Sequence, residues 1–510
     1  MSRLCKTFIV LIAVVLWTTQ TSGFAITGQA TALAKPVAKK ENCGCEPKTP
    51  LPEVIATVNG MKVPTTEINA PIQAKIDELQ NAVVDARKRE LDIQINNRLF
   101  DNEAKKRNIS ASKLIQLEVL SKVKAPTEAE AQAFYEQNKA KLQEQGSYAE
   151  LKNDILNYIQ EQRQSLEVRK YSERLRAAAQ VKTLVAPNAV TAPQTEADRA
   201  RVLATLSGES ITSEDIEKAL RPVIYQVQEE IYKLRKTQID MRVNDLLLEQ
   251  EAQKRKTTSK ELLQAEVGAK VRKPTEQEAK KFYDENTEQI PGTFAETKDK
   301  LIEYLQRQEA QKLEDTYAES LRKAAKVEIY LPEPESPVYE ISTADQPTKG
   351  NAQSKVTVIE FTDYECPSCG NFQPIMDEII KEYGDRVKFI IRDYPLTTLH
   401  PYAQKAAEAA EAAREQGKYW EYSALLFKNQ KELQPENLMK YAAQLGLDMT
   451  KFQDALLSGK FAEKVQTDIQ DGYRIGVNGT PTIFINGKRL KDRSKESLRA
   501  ALDAALKNAN

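Results

Sequence analysis

Cysteine is scarce in this 510-residue chain, five in all, and two of the five fall in the stretch FTDYECPSCGNF. Cys366 and Cys369 are separated only by Pro367 and Ser368. Such a pair can be half of a zinc site, a structural disulfide or a couple that exchanges two electrons. Zinc calls for about four ligands. The chain offers one distant pair, Cys43-Gly44-Cys45, and a single histidine, His400, so no metal site is expected. The run KVTVIEFTDYECPSC reads as β-rich and enters a turn, and a helical pattern follows from Gly370 to Tyr383. Cys366 then stands at a helix N-terminus, where unpaired N–H groups and the helix dipole favour a thiolate. Pro367 suits an early helical position, where its missing N–H costs nothing. Cys369 follows one turn on, close enough to attack a mixed disulfide. Cys366 is therefore read as the exposed, attacking thiol and Cys369 as the resolving one.

The elements that must hold this pair follow in order. VKFIIRDYP (387–395) reads as the next strand, and a long helical stretch covers roughly 399–474. GVNGTPTIFINGKRL (476–490) then places a strand, Thr482 to Ile485, directly after Pro481, which cannot donate to a ladder. Asn486-Gly487 signals a hairpin, and a helix is expected from Lys495 to Leu506. Strand, CxxC helix, strand, helical insert, Thr-Pro, hairpin and helix is the order of the thioredoxin superfamily. The long insert makes residues 338–508 resemble the DsbA family, on the motifs F-x-D-x-x-CPSC, RDYPLxxxHPxAxxAAxAA and GVxGTPTxxINGK. The resemblance implies a thioredoxin-like α/β domain with a helical insertion and thiol–disulfide oxidoreductase activity. It implies a cis Pro481 beside the thiols, with Thr480 before it, leaving a strand edge that holds a substrate peptide. A structural disulfide alone would not call for that Thr-Pro partner. Glu360, six places before Cys366, matches the family's buried proton-transfer carboxylate; a half-exposed strand residue is the alternative. Pro-Ser replaces the Pro-His of the best known oxidase and removes a thiolate-stabilising histidine, which argues against a strongly oxidising potential. His400 is read as structural, at a helix start, and Asp363 and Glu365 as solvated.

The amino terminus reads MSRLCKTFIVLIAVVLWTTQTSGFA. Arg3 and Lys6 precede an apolar run of ten residues, Phe8 to Trp17, which is short for a bilayer span. Gly23 and Ala25 supply small residues before a cut. The segment is read as a secretory signal peptide, over an uncleaved anchor. Export to the periplasm or a similar compartment permits disulfides. Residues 26–51, with Pro36, Pro47 and Pro50, read as a flexible tether. Its Cys43 and Cys45 form a second candidate redox pair: a CxC disulfide is strained and exchangeable, and could relay electrons to Cys366 and Cys369. Inert tether thiols or an intermolecular link are the alternatives.

The middle of the chain repeats. IATVNGMKVPTTEI (55–68) aligns with LATLSGESITSEDI (203–216), and APTEAEAQAFYEQN (125–138) with KPTEQEAKKFYDEN (273–286), both at an offset of 148. YSERLRAAAQV (171–181) pairs with YAESLRKAAKV (317–327) at 146. So long a period means two duplicated domains rather than a solenoid. Each copy opens with a short strand and a Gly turn, continues in long helices and closes on a β-rich segment, QVKTLV or KVEIYL. The closing strand is expected to pair with the opening one. Ile72, Ile76, Leu79 and Val83 mark one helical face, and TEAE (127–130) and TEQE (275–278) read as capping boxes. The copies resemble the chaperone part of the SurA/PrsA family, on VNG-x-x-V-x-x-x-E-I, NRLFDNEAKKRNIS and PTEAEAQAFYEQN. The family's parvulin isomerase domain is missing, since only about ten residues separate Asn138 from Tyr148. The resemblance thus implies binding of unfolded chains without prolyl isomerisation; helical spacer domains are the alternative.

The chain parses as signal peptide 1–25, tether 26–51, helical copies 52–187 and 200–332, linker 333–353 and thioredoxin-like domain 354–510. Lys+Arg and Asp+Glu balance at 74 each, which leaves no electrostatic case for nucleic acid. The expected function is an exported protein thiol–disulfide oxidoreductase, an oxidase or isomerase, with no cofactor beyond its own disulfide. Its partners would be unfolded or cysteine-containing exported proteins and a membrane or soluble thiol donor or acceptor. The rival readings are a periplasmic holdase with a thioredoxin-like docking module, and a disulfide reductase dedicated to one partner.

Overall fold

The computed structural model describes residues 43–45, 49–143, 146–287 and 289–509; the signal segment 1–25 and most of the tether lie outside them. Among these residues no helix is long and apolar enough to cross a membrane. Two packing units form: residues 45–82 with 225–335, and residues 83–224 with 336–510 and the described residues before Cys45.

The duplication is visible in the side chains. Arg107 bonds Glu118 at 2.7 Å and Arg255 bonds Glu266 at 2.6 Å; Arg176 and Arg322 bond Asp92 and Asp240, each at 3.0 Å. The expected capping boxes form at Thr127/Glu130 and Thr275/Glu278. Ile72, Ile76 and Val83 are buried.

Strand pairing departs from expectation. Copy one opens with β1 (Val54–Val58) and β2 (Met61–Pro64) and closes with β3 (Lys182–Thr183). Copy two opens with β4 (Val202–Leu206) and β5 (Glu209–Thr212) and closes with β6 (Val327–Ile329). The sheets are β2-β1-β6 and β3-β4-β5, so each closing strand joins the opening hairpin of the other copy. The cores are exchanged likewise. Ile55, Val58 and Ile68 pack with Ile239, Val243 and Leu246, while Leu203, Leu206 and Ile211 pack with Leu91, Ile95 and Leu99. The cause lies in the helix Gln73–Lys106, 34 residues long. Arg176, just before β3, is anchored at Asp92 and Asn96, about 30 Å along a helix rising 1.5 Å per residue. The closing strand therefore leaves beside Leu91, Ile95 and Leu99, the core that holds the opening hairpin of copy two.

The C-terminal sheet has the order β11-β10-β8-β9-β7. It comprises β7 (Thr348–Gly350), β8 (Thr357–Thr362), β9 (Lys388–Asp393), β10 (Thr482–Ile485) and β11 (Lys488–Arg489). β8 and β9 run parallel and the other neighbours antiparallel. β7 lies in the segment read as linker; too short and polar to show a period, it is defined by its pairing with β9. Helices Pro367–Tyr383 and Lys495–Ala509 cover one core, with Phe372, Met376, Ile379, Leu498 and Leu502 buried against Val358 and Phe389. The helical insertion consists of five helices between Ala403 and Arg474, packed on an alanine-rich stripe through Ala406, Ala409, Ala410 and Ala413.

Candidate active site

β8 delivers the chain to the turn that carries the thiols. Cys366 is the N-cap of helix Pro367–Tyr383, with Pro367 at its first position. Cys366 and Cys369 are both free. Cys366, read as exposed, is buried as well, because the Thr480–Pro481 loop closes over it; it keeps 7% exposure while Cys369 has none. The loop before β10 closes the site. The Thr480–Pro481 peptide is cis, and the Thr480 carbonyl accepts from Cys366 Sγ at 3.6 Å. The Thr480 hydroxyl lies by both sulfurs.

These neighbours pull the two thiols apart. The hydrogen bond from Cys369, then Thr480 and the N–H groups of Cys369 and Ser368, hold Cys366 at about 5, against the opposing pull of burial. Burial pushes Cys369 far up, and the hydrogen bond to Cys366 adds to it. At neutral pH the outer sulfur is the thiolate and the inner one keeps its proton.

Glu360 sits on β8, fully buried, and is not a half-exposed strand residue. Its Oε1 accepts from the Gln373 amide at 3.5 Å, and the Thr362 hydroxyl lies beside the carboxylate. Burial raises its carboxyl to about 7, and its charge contributes to the rise at Cys369. The structure thus brings Cys366, Cys369, Glu360, Thr480 and Pro481 to one end of the sheet.

Asp363 departs from its solvated reading. It is 1% exposed, and takes the N–H groups of Glu365 and Leu396, each at 2.8 Å, and His400 Nδ1 at 2.7 Å. Glu365 caps the N–H of Tyr402 at 2.8 Å. Both carboxylates staple the CxxC turn to the loop after β9, and His400 belongs to that staple. Adjacent charges in a loop signal solvation in sequence; nothing in the sequence shows that two loops meet here. Cys43 and Cys45 are both disulfide-bonded and 3% exposed, not displayed on an open tether. Gly44 between them has φ +69°, and a Cβ there would stand 3.3 Å from Ala192 and from the Arg87 guanidinium. Among the described residues no cluster of His, Cys, Asp and Glu could hold a metal ion.

A family model described as Thioredoxin matches residues 342–504. The Na(+)/H(+) antiporter NhaA 3 of Salinispora tropica is 42% identical over 162 residues, 32% of this chain and 25% of that protein. The Na(+)/H(+) antiporter NhaA of Herminiimonas arsenicoxydans is 33% identical over 158 residues, 31% of this chain and 25% of that protein. The chain thus spans about a quarter of the length of these curated relatives. Among solved structures, BdbD from Bacillus subtilis is 27% identical, covering 34% of this chain and 99% of that one, with a TM-score of 0.32. The thiol-disulfide exchange protein alpha-DsbA2 from Wolbachia pipientis is 26% identical, covering 32% and 88%, with a TM-score of 0.28. The C-terminal part of the chain is a thioredoxin-like domain.

Proposed function

We propose that this thioredoxin-like domain is a protein thiol–disulfide oxidoreductase that passes its disulfide to client proteins. One observation carries the reading: Cys366, the more accessible sulfur, is held as a thiolate at a helix N-terminus, while Cys369 behind it is held protonated. A low outer thiol value stabilises the reduced pair and makes Cys366 a good leaving group, which favours electron flow from client to protein. The thiolate-stabilising work assigned to histidine in the Pro-His motif falls here to Cys369, Thr480 and the helix N–H groups.

The exchange runs as follows. A client thiolate attacks Cys366 of the oxidised pair; the Cys366–Cys369 bond breaks and its electron pair passes to Cys369, which takes up a proton. Glu360, buried and titrating near neutrality, serves that proton. A second client thiolate then attacks the client sulfur of the mixed disulfide, and Cys366 departs as thiolate. The Thr480 backbone, just before Pro481 and outside the β10 ladder, holds the client backbone. Export to the periplasm or a similar compartment, through the segment 1–25, supplies the oxidising surroundings, and the two helical copies bind unfolded clients. Oxidised protein mixed with a reduced two-cysteine peptide tests the reading. Disulfide transfer is expected, and lost in both Cys366→Ser and Cys369→Ser, since neither can hold the internal disulfide; offered the oxidised peptide instead, the Cys366 thiolate of Cys369→Ser is expected to break the peptide disulfide and stay bound as a mixed disulfide, and no transfer by the native chain would overturn the reading.

A further inference from the structure

The turn that carries the thiols is gripped from outside the sheet. Gln430 stands just after helix Tyr419–Lys428 of the insertion, 64 residues beyond Cys366. Its carboxamide nitrogen donates to the Tyr364 carbonyl at 2.9 Å and to the Cys366 carbonyl at 2.8 Å. The same Cys366 oxygen accepts from the N–H groups of Cys369 at 3.0 Å and Gly370 at 3.1 Å. Two further contacts from the same segment hold Tyr364: the Phe427 ring at 4.9 Å, and the Tyr419 hydroxyl at 2.9 Å from the Tyr364 hydroxyl. Room for the Gln430 carboxamide exists because residue 370 is glycine; a Cβ there would run into it.

A primary amide has two N–H donors and no formal charge. Both donors of Gln430 are spent on carbonyls that flank the attacking cysteine. They fix the entry to the helix, so that its first N–H groups keep facing the sulfur, and they offset the negative end of the Cys366 carbonyl beside a thiolate. We propose that Gln430 is a positioning residue through which the helical insertion sets the acidity of Cys366 and the poise of the Cys366–Cys369 couple. The inference rests on the oxidoreductase reading and deepens it: the reactivity of the couple is tuned from the helical insertion, through the Tyr364 and Cys366 carbonyls.

The reaction that reads this is reduction by glutathione. Two glutathione thiols become one glutathione disulfide, the Cys366–Cys369 bond is broken, Cys369 keeps a proton and the proton of the Cys366 thiol is released to water. Gln430→Ala, Gly370→Ala and the double variant are compared with the native full-length chain. Two quantities are measured: the thiolate absorbance of the reduced protein against pH, with Cys366→Ser as blank, and the glutathione equilibrium at Cys366/Cys369 by alkylation and peptide mass.

Each single variant is expected to raise the apparent Cys366 value. Each is also expected to move the glutathione equilibrium about tenfold toward the disulfide, which corresponds to one pH unit in that value. The double variant is expected to match the singles, because Gly370→Ala acts by displacing a side chain that Gln430→Ala has removed. Singles that leave both quantities unchanged while melting earlier would make Gln430 structural only and overturn the inference. Additive shifts in the double variant would overturn it too. Gly370→Ala carries the test if Gln430→Ala does not fold. A native pair that fails to exchange with glutathione would instead sink the oxidoreductase reading, and the thiolate titration would still read Gln430.

Discussion

At the scale of single residues, two titrations of opposite sense meet within the site. Glu360 is raised by burial from 4.5 to about 7. Below about pH 4.5 both folded and unfolded states carry its proton. As pH rises toward 7 the unfolded state loses that proton first, so stability falls, by up to about 3 kcal/mol once the pH passes 7. Glu360→Gln should therefore stabilise the chain at pH 8 and leave it about unchanged at pH 4, read by urea unfolding at the two values. Cys366 runs the other way, lowered from 9.0 to about 5. Its thiolate stabilises the reduced protein fully above about pH 9, and that contribution is lost as pH falls through 5. The melting temperature of the reduced form relative to the oxidised form should thus fall between pH 8 and pH 4; a constant difference would remove the thiolate from the account. The placement of Cys366 at a helix N-terminus, with Cys369 one turn on, was legible from spacing and helix polarity. The burial of Asp363 and the grip of Gln430 were not, because both depend on partners 33 to 66 residues away.

At the scale of elements, the insertion is fastened to the sheet by a buried ion network. Arg392 on β9 meets Asp468 at 2.8 Å, the two being 1% and 0% exposed, and also reaches Asp471 at 2.6 Å. Lys464 holds the second oxygen of Asp468 at 2.7 Å. Removing one partner strands a buried charge, which costs about 3–5 kcal/mol. Arg392→Met should destabilise the C-terminal domain by that order, seen as earlier unfolding at Trp420 inside the insertion; a change under about 1 kcal/mol would count against the network. Gly472, on the helix Ala462–Arg474, marks the same seam. A Cβ there would come 2.8 Å from the Tyr394 ring and 3.0 Å from Phe361, so Gly472→Ala should cost about 1–3 kcal/mol by overpacking, measured in the same melt. The sequence reads this seam as one long helical stretch, roughly 399–474, and the structure divides it into five helices. Their docking was not legible, since Arg392 and Asp468 look in sequence like any solvated charges.

At the scale of the whole molecule, the exchange of strands makes the two copies interdependent. A fragment spanning copy one alone carries an opening hairpin and a closing strand whose partners both belong to copy two. Such a fragment, residues 52–187, should associate as a dimer that restores both pairings, while residues 49–335 remain monomeric, as light scattering would report. A stable monomer of 52–187 would show that each copy can close on itself. Client binding by these copies predicts a second outcome: deleting residues 52–332 slows oxidation of an unfolded protein and spares a small dithiol. The duplication, the capping boxes, the order of strands and helices around Cys366 and the polarity of the CxxC helix are written in the linear chain. These follow from spacing, periodicity and local hydrogen bonding within a few residues. Which copy each closing strand joins, the burial of Cys43, Cys45 and Glu360, and the reach of Gln430 to the thiol turn emerge only once the chain is packed. Each of these rests on desolvation or on contact between segments far apart in the chain, and neither leaves a local pattern to read.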